Sequence, residues 1–271
     1  MTAAGTWIAK AYNFLKRIKA FDILSYALIV LGLFWFVISG AEKQGYFWQW
    51  YRIPSYLYEF ENNSFTAGPI LQGLQVTLKI VGISLVLTYI FGLVTALMRL
   101  SNSAGARTVA RFYLESTRNT PLLVQLYFVY FIVAPVLNID RLSAAVLALS
   151  LFEGAYASEI YRAGIVSINR GQWEAAYSLG LNNFNMYKDI ILPQALRRIL
   201  PPLTGQAISL IKDSSLVSVI AVYEMTMQAN AIVAETFLVF EVYFTIAAVY
   251  LLITVSLSQL VSYMERRMKI V

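Results

Sequence analysis

The chain has 271 residues, of which 59% are hydrophobic and 13% charged, with a formal net charge of +6 and a mean hydropathy of +0.63. A soluble domain of this length carries about 25% charged residues, so the shortfall excludes a fully solvated surface and leaves lipid to cover much of it. The absence of cysteine and histidine excludes disulfides, thiolate metal sites, a Cys nucleophile and a Ser-His-Asp triad, and removes the usual proton carrier near neutral pH.

A helix needs about 20 apolar residues to cross the hydrocarbon core. The first candidate is Phe21 to Ser39. It is longer than the roughly 7–15 apolar residues of a secretory signal and reads as an uncleaved span. Residues 41–68 are rich in aromatics: Tyr46, Phe47, Trp48, Trp50, Tyr51, Tyr56, Tyr58 and Phe60. Trp and Tyr settle at membrane interfaces, so this stretch reads as an extracytoplasmic interfacial segment, with a dedicated partner contact as the alternative. The second span runs from Leu71 to Leu100, long enough to tilt. The third covers Leu122 to Leu137 and the fourth Leu142 to Tyr161. A polar stretch follows from Arg162 to Pro202. The fifth span is Leu203 to Val222 and the sixth Val239 to Tyr263. The expectation is an all-α, polytopic membrane helix bundle with six transmembrane helices. Residues 1–68 form an N-terminal extension with one span, and residues 69–271 form the core domain, with a cytoplasmic loop at about 162–202.

The basic residues orient this layout. Lys10, Lys16, Arg17 and Lys19 precede span one, and Arg99, Arg107, Arg111 and Arg118 lie between spans two and three. Arg162, Arg170, Lys188, Arg197 and Arg198 lie between four and five, and Arg266, Arg267 and Lys269 close the chain. All these fall on one face, whereas Lys43, Arg52 and Arg141 fall on the other. The positive-inside rule then puts both termini in the cytoplasm. It also accounts for the net charge without a nucleic-acid partner.

The polar stretch contains Glu174-Ala175-Ala176, then Gly180, then Ile190-Ile191-Leu192-Pro193, with three residues between Ala176 and Gly180 and nine between Gly180 and Ile190. Glu and Ala are good helix formers, and the two alanines give a low profile able to enter a groove on another protein. Gly180 can take φ > 0 and turn the chain. Pro193 fixes φ and lacks an N–H, and Pro201-Pro202 is expected to separate the loop from span five. The pattern predicts a short helix held rigidly beside the membrane.

This spacing resembles the EAA motif of permease subunits in bacterial ATP-binding cassette (ABC) importers. Tyr113, Glu115 and Arg118-Asn119-Thr120-Pro121-Leu122-Leu123-Val124-Gln125, Ser158-Glu159-Ile160-Tyr161-Arg162-Ala163-Gly164-Ile165 and Lys212-Asp213-Ser214-Ser215-Leu216 resemble the polar-amino-acid branch of that family, over about residues 68–263. The resemblance implies a MetI-like type I importer core of five spans. It implies a coupling helix that docks on an ATPase subunit, with Glu174 as polar anchor, Gly180 as turn, and Ala175, Ala176, Leu192 and Pro193 beside them. It further implies two ATPase subunits, a second permease subunit (identical or homologous), a solute-binding protein, an amino-acid substrate and a bacterial inner-membrane location. The chain has no G-x-x-x-x-G-K-[ST] phosphate loop. It is therefore expected to be no enzyme, with no cofactor of its own, ATP and Mg being bound by the ATPase. The rival is a secondary transporter or channel driven by an ion gradient, for which broken helices in inverted repeats are the sign; no such symmetry is visible.

Ionisable groups inside spans are costly and mark function. Lys79 reads as snorkelling to the interface. Glu153 lies near the middle of span four, with Ser150 and Tyr156 three residues to either side and Gly154 and Ala155 as small neighbours. Two readings stay open. Glu153 lines the path with Ser150 and Tyr156 and attracts the cationic part of an amino acid, or it pairs structurally with Lys79, Lys212 or an Arg of a partner subunit. Glu159 and Arg162 are spaced for an ion pair, which Arg118 joins. Ser214 and Ser215, beside Asp213, are expected to pack at the path or at a subunit seam.

Overall fold

The computed structural model describes residues 3–43, 45–61 and 64–268; Lys269, counted above among the basic residues, lies outside them. The chain divides into two compact units, Met1–Gln49 and Trp50–Val271.

The first unit is built on helix α1 (Ala3–Lys43). Its stretch Asp22–Gly40 is long and apolar enough to cross a membrane, and none of it is buried. Large side chains such as Leu28, Leu33, Trp35 and Phe36 are exposed around the helix, which suits lipid on all sides.

The second unit opens with a 3₁₀ turn (Trp50–Arg52) and α2 (Ile53–Leu57). An antiparallel hairpin follows, β1 (Tyr58–Glu61) with β2 (Ser64–Ala67), in the register Tyr58↔Ala67 and Phe60↔Phe65. This hairpin is the departure from an all-α chain; Tyr, Phe and Thr favour extended backbone. Residues 50–68, expected within the N-terminal extension, lie in this second unit. There Ile53 is buried with Ile70, Met225, Ala229 and Val242.

Helix α3 (Pro69–Leu100) is the long second span. Its buried stripe is mostly small or polar, with Gly73, Thr77, Ser84, Thr88, Gly92, Thr95 and Ala96 beside the larger Ile70, Ile80 and Val81. Its lipid-facing side chains, such as Val86, Ile90 and Leu97, are large and apolar. Close backbone approach, rather than exclusion of water, drives helix pairing in lipid. The stripe meets α7 (Arg141–Val166), whose buried face carries Ala144, Ala145, Ala148, Gly154, Ala155, Ala157 and Ser158. A Cβ on Gly92 would stand 2.7 Å from the Cβ of Ala157, so contact there requires glycine. Asp140 caps α7: its carboxylate accepts the Leu142 N–H at 3.2 Å and the Ser143 hydroxyl. The Ser143 bond holds that carboxyl below its ordinary range.

Between α3 and α7 the chain forms α4 (Ala104–Arg118), then α5 (Leu122–Phe128), a π-turn (Val129–Val133) and α6 (Ala134–Leu137). By sequence, residues 101–121 read only as a connection between spans. They form a helix because Ser103 caps it, accepting the Ala106 N–H at 3.3 Å, and because Ala110, Leu114 and Thr117 give it one buried face. The path bends by 109° at Pro121 between this helix and the span that follows.

After α8 (Arg170–Ser178) come α9 (Asn183–Asn185), a π-turn (Met186–Ile191) and α10 (Leu192–Asp213). Here one expectation fails. Pro201 and Pro202 lie inside α10 and do not break the helix, which starts at Leu192. Ile199 and Leu203 are buried on either side of them, and that burial offsets the two missing backbone bonds. A 3₁₀ segment (Ser214–Ile220), α11 (Met225–Thr236) and α12 (Val239–Met268) complete the unit. Helix α11 lies in a stretch to which the hydropathy pattern assigns no element. Its cap is Glu224, wholly buried, whose carboxylate accepts the Met227 N–H at 2.8 Å, the Tyr250 hydroxyl at 3.1 Å and the Thr77 hydroxyl at 3.3 Å. It ties α3, α11 and α12 together.

Among the described residues, three helices are long and apolar enough to span a membrane, or five if each bent pair is one span. Helix α7 has 26 residues, about 39 Å at 1.5 Å per residue, long enough for a sixth.

Candidate functional site: the coupling helix and the polar cleft

Helix α8 carries the Glu-Ala-Ala triplet. Asn169 starts it, its side-chain oxygen accepting the Gly171 N–H at 2.8 Å. The helix ends in a left-handed cap: Gly180 has φ +71°, its N–H reaches the Tyr177 carbonyl at 2.9 Å, and the Leu181 N–H reaches the Ala176 carbonyl at 3.2 Å. These two bonds make a Schellman motif, which needs glycine at this position to avoid steric strain.

The two alanines take different roles. Ala176 is fully buried with Ile165, Ile168, Met186, Ile191 and Ala195, so it cannot enter a groove on a partner; it fixes α8 to its own chain. Ala175 is exposed. Glu174 is exposed too, paired with Arg170 at 2.9 Å. Tyr177, Leu179 and Phe184 add an exposed apolar edge that the motif alone does not reveal; its signal in the sequence is large apolar residues flanking a predicted turn. Trp173 packs edge-on against Tyr187 at 5.4 Å, bracing the helix from behind. Leu192 is exposed. Its N–H reaches back five residues to the Tyr187 carbonyl, closing the π-turn that ends just before Pro193, where an ordinary helical bond has no donor.

On the membrane side, Glu153 is 2% exposed and accepts a hydrogen bond from the Gln206 side chain of α10. Asp213 stands close to its carboxyl. Among the described residues it forms no ion pair, so neither Lys79 nor Lys212, two of the partners in the structural reading, closes a salt bridge with it. Gln206 is a site residue that sequence reasoning missed. Its signal is its place seven residues before Asp213, on the same face of one helix.

Gln206 also lines a cleft of about 500 Å³, together with Arg118, Tyr156, Glu159, Ser167 and Arg198. Tyr156 is therefore at a cavity wall. Ser150 is not: its hydroxyl is buried and donates to the Val146 carbonyl at 2.6 Å and the Ser84 carbonyl at 3.3 Å, at the α3–α7 seam. Ser214 is buried and donates to the Ile211 carbonyl, and Ser215 donates to the Lys212 carbonyl, each at 2.7 Å. Both hydroxyls are used within their own turn of chain. Glu159 is bound by Arg162, as expected, and also by Arg99. Arg118 instead lies over the Tyr156 ring at 5.6 Å. No group of three or more acidic side chains among the described residues is placed to hold a metal ion.

Residues 88–270 match the family described as binding-protein-dependent transport system inner membrane component. The chain belongs to that family. The permease is 40% identical over 204 residues to the glutamine transport system permease protein GlnP of Escherichia coli K12, covering 74% of this chain and 93% of the relative. It is 41% identical to the L-cystine transport system permease protein TcyB of Bacillus subtilis, covering 74% and 87%. It is also 39% identical to the arginine transport system permease protein ArtQ of the same organism, covering 74% and 92%. A chain of the crystal structure of an amino acid ABC transporter with histidines superposes on the permease with a TM-score of 0.69 at 39% identity, covering 73% of this chain and 94% of that one. The MetNI methionine ABC transporter in an inward-facing conformation gives 0.62 at 16% identity, a likeness of fold. The permease is thus a multi-pass inner-membrane component of an ABC importer with a MetI-like fold, in a family that is not itself an enzyme family.

Proposed function

We propose that this chain carries a polar or cationic amino acid into the cytoplasm by alternating access, powered by a separate ATPase that grips α8. The observation that carries the coupling role is the combination of a rigid, capped helix with an exposed edge. Ala176, Trp173 and the Schellman cap hold the helix to the body, while Glu174, Ala175, Tyr177 and Leu179 stay free of it. Such an element transmits displacement to α7 and α10, against which it is packed.

In this reading two ATPase subunits, holding ATP and Mg, bind two permeases, this chain with an identical or homologous partner, and a solute-binding protein delivers substrate on the opposite side. Both termini face the cytoplasm. Glu153, with Gln206 and Asp213 beside it, offers a negative environment to the ammonium or basic side chain of the substrate; relatives named for glutamine, cystine and arginine transport favour this class. Tyr156 lines the same route. Ser150, Ser214 and Ser215 support the helices around it.

The deciding experiment is co-purification of the tagged permease with its ATPase, followed by uptake into proteoliposomes. Gly180→Arg is expected to abolish both ATPase capture and ATP-driven uptake. Uptake by the isolated chain under an ion gradient, with no nucleotide, would establish the secondary-transporter alternative instead.

A further inference from the structure

The cleft between α4, α7 and α10 has an imbalance of charge. Its single carboxylate, Glu159, is already bound by Arg99 and Arg162. Two other guanidinium groups line the walls. Arg198 is anchored by the Ser167 carbonyl and hydroxyl, and Arg118 is held over the Tyr156 ring. Neither has a carboxylate partner among the described residues. Both are therefore positioned by neutral groups, with hydrogen-bond donors left over: a guanidinium has five. The cavity, about 500 Å³, is large enough for an amino acid and its water. It reaches from Gln206, which touches Glu153, to Ser167, two residues before the Asn169 cap of α8.

We infer that this cleft is a release subsite in which Arg118, assisted by Arg198, receives the α-carboxylate of the departing amino acid. The inference rests on the amino-acid import proposed above and adds a second pole to it. Glu153 attracts the cationic end within the helices; Arg118 attracts the anionic end nearer the coupling helix. Gln206 belongs to both environments, so a zwitterion moving between them keeps a polar neighbour throughout. An arginine fork suits a carboxylate because two parallel N–H groups match its two oxygens. The walls of the site belong to α4, α7 and α10, and Ala195 of α10 and Ile165 of α7 are buried with Ala176 of α8, so movement of the coupling helix can reach those walls and change its width.

The test uses the permease purified with its ATPase partner in nanodiscs, without nucleotide, after uptake screening of the twenty amino acids has fixed the probe. The transported amino acid and its carboxamide are titrated side by side, L-arginine and L-argininamide first. The acid is expected to bind roughly tenfold or more tightly than the amide, the range of a charge-assisted hydrogen bond. Arg118→Gln should remove that preference while leaving amide binding in place, Arg118→Lys should restore part of it, and Arg198→Gln should weaken it. A preference that survives both Arg118→Gln and Arg198→Gln overturns the inference. So does an Arg118→Gln effect confined to discs of anionic lipid, which would mark a lipid phosphate as the occupant. Failure of every amino acid in the uptake screen would sink the import reading itself, a result distinct from either.

Discussion

Gly180 shows how a single residue can hold a functional element in place. The space around it is open: a Cβ there would meet nothing within 4 Å. Its requirement for glycine is therefore a matter of backbone alone, φ +71°, and an L side chain in that conformation costs about 1–2 kcal/mol. Gly180→Ala is expected to loosen the cap without disturbing the core. Amide exchange at Gly180 and Leu181, whose N–H groups close the motif, should speed up by about tenfold, and Gly180→Asn should have a smaller effect because Asn tolerates the left-handed region. Unchanged exchange in Gly180→Ala would show that the cap does not restrain the helix. This glycine is legible in the sequence because its spacing from Ala176 names it. The division of labour between the alanines is not. Ala175 and Ala176 are identical in chemistry, and only the packing of Ile165, Ile168 and Met186 distinguishes the buried one from the exposed one. Gln206 is hidden for a similar reason. A neutral amide in a helix gives no charge signal, and its value comes from Glu153, 53 residues earlier.

At the scale of elements, the pattern that places α3 against α7 departs from the rule of soluble proteins: small and polar residues predominate inside, with Ile80, Val81, Val146 and Leu149 among them, and large apolar ones cover the outside. That pattern can be read from composition once lipid is accepted as solvent, and helices α3 and α7 begin within two residues of the starts expected for the second and fourth spans. Two glycines of α3 separate packing from propensity. Gly82 faces open space, with nothing within 4 Å of an added methyl, whereas a Cβ on Gly92 would collide with Ala157 and approach the Ser158 backbone to 3.1 Å. Each Gly→Ala change gains helix propensity of about 1 kcal/mol. At Gly92 the overpacking of about 1–3 kcal/mol outweighs that gain. Thermal unfolding in detergent should therefore show Gly82→Ala equal to or above the parent and Gly92→Ala below it; equal midpoints for the two would refute close packing at this seam. The fifth span is harder to read, because Pro201-Pro202 is a strong local break signal. Tertiary burial of Ile199 and Leu203, with the Tyr89 hydroxyl bonded to the Leu203 carbonyl at 3.1 Å, keeps the helix running through it.

For the whole molecule, the proposed topology puts the coupling helix and the aromatic segment on opposite faces of the membrane. Three crossings, an odd number, separate them if α3, the bent α4–α6 pair and α7 each count once. The basic residues supply an independent argument, since Arg99 ends α3 and Arg107, Arg111 and Arg118 follow it, while Arg162 lies near the end of α7 and Arg170, Arg197 and Arg198 follow it. Retaining that much charge on one face favours the cytoplasm. The chain has no native cysteine, so single introduced thiols report orientation without background. Ser55 and Ser178 are both exposed, one beside the aromatic segment and one in the coupling helix. In intact cells with a permeable outer barrier, a membrane-impermeant maleimide should label Ser55→Cys at once and Ser178→Cys only after lysis. Labelling of Ser178→Cys from outside would invert the topology and place the proposed lever where no ATP is available to drive it, whatever the helix itself can grip.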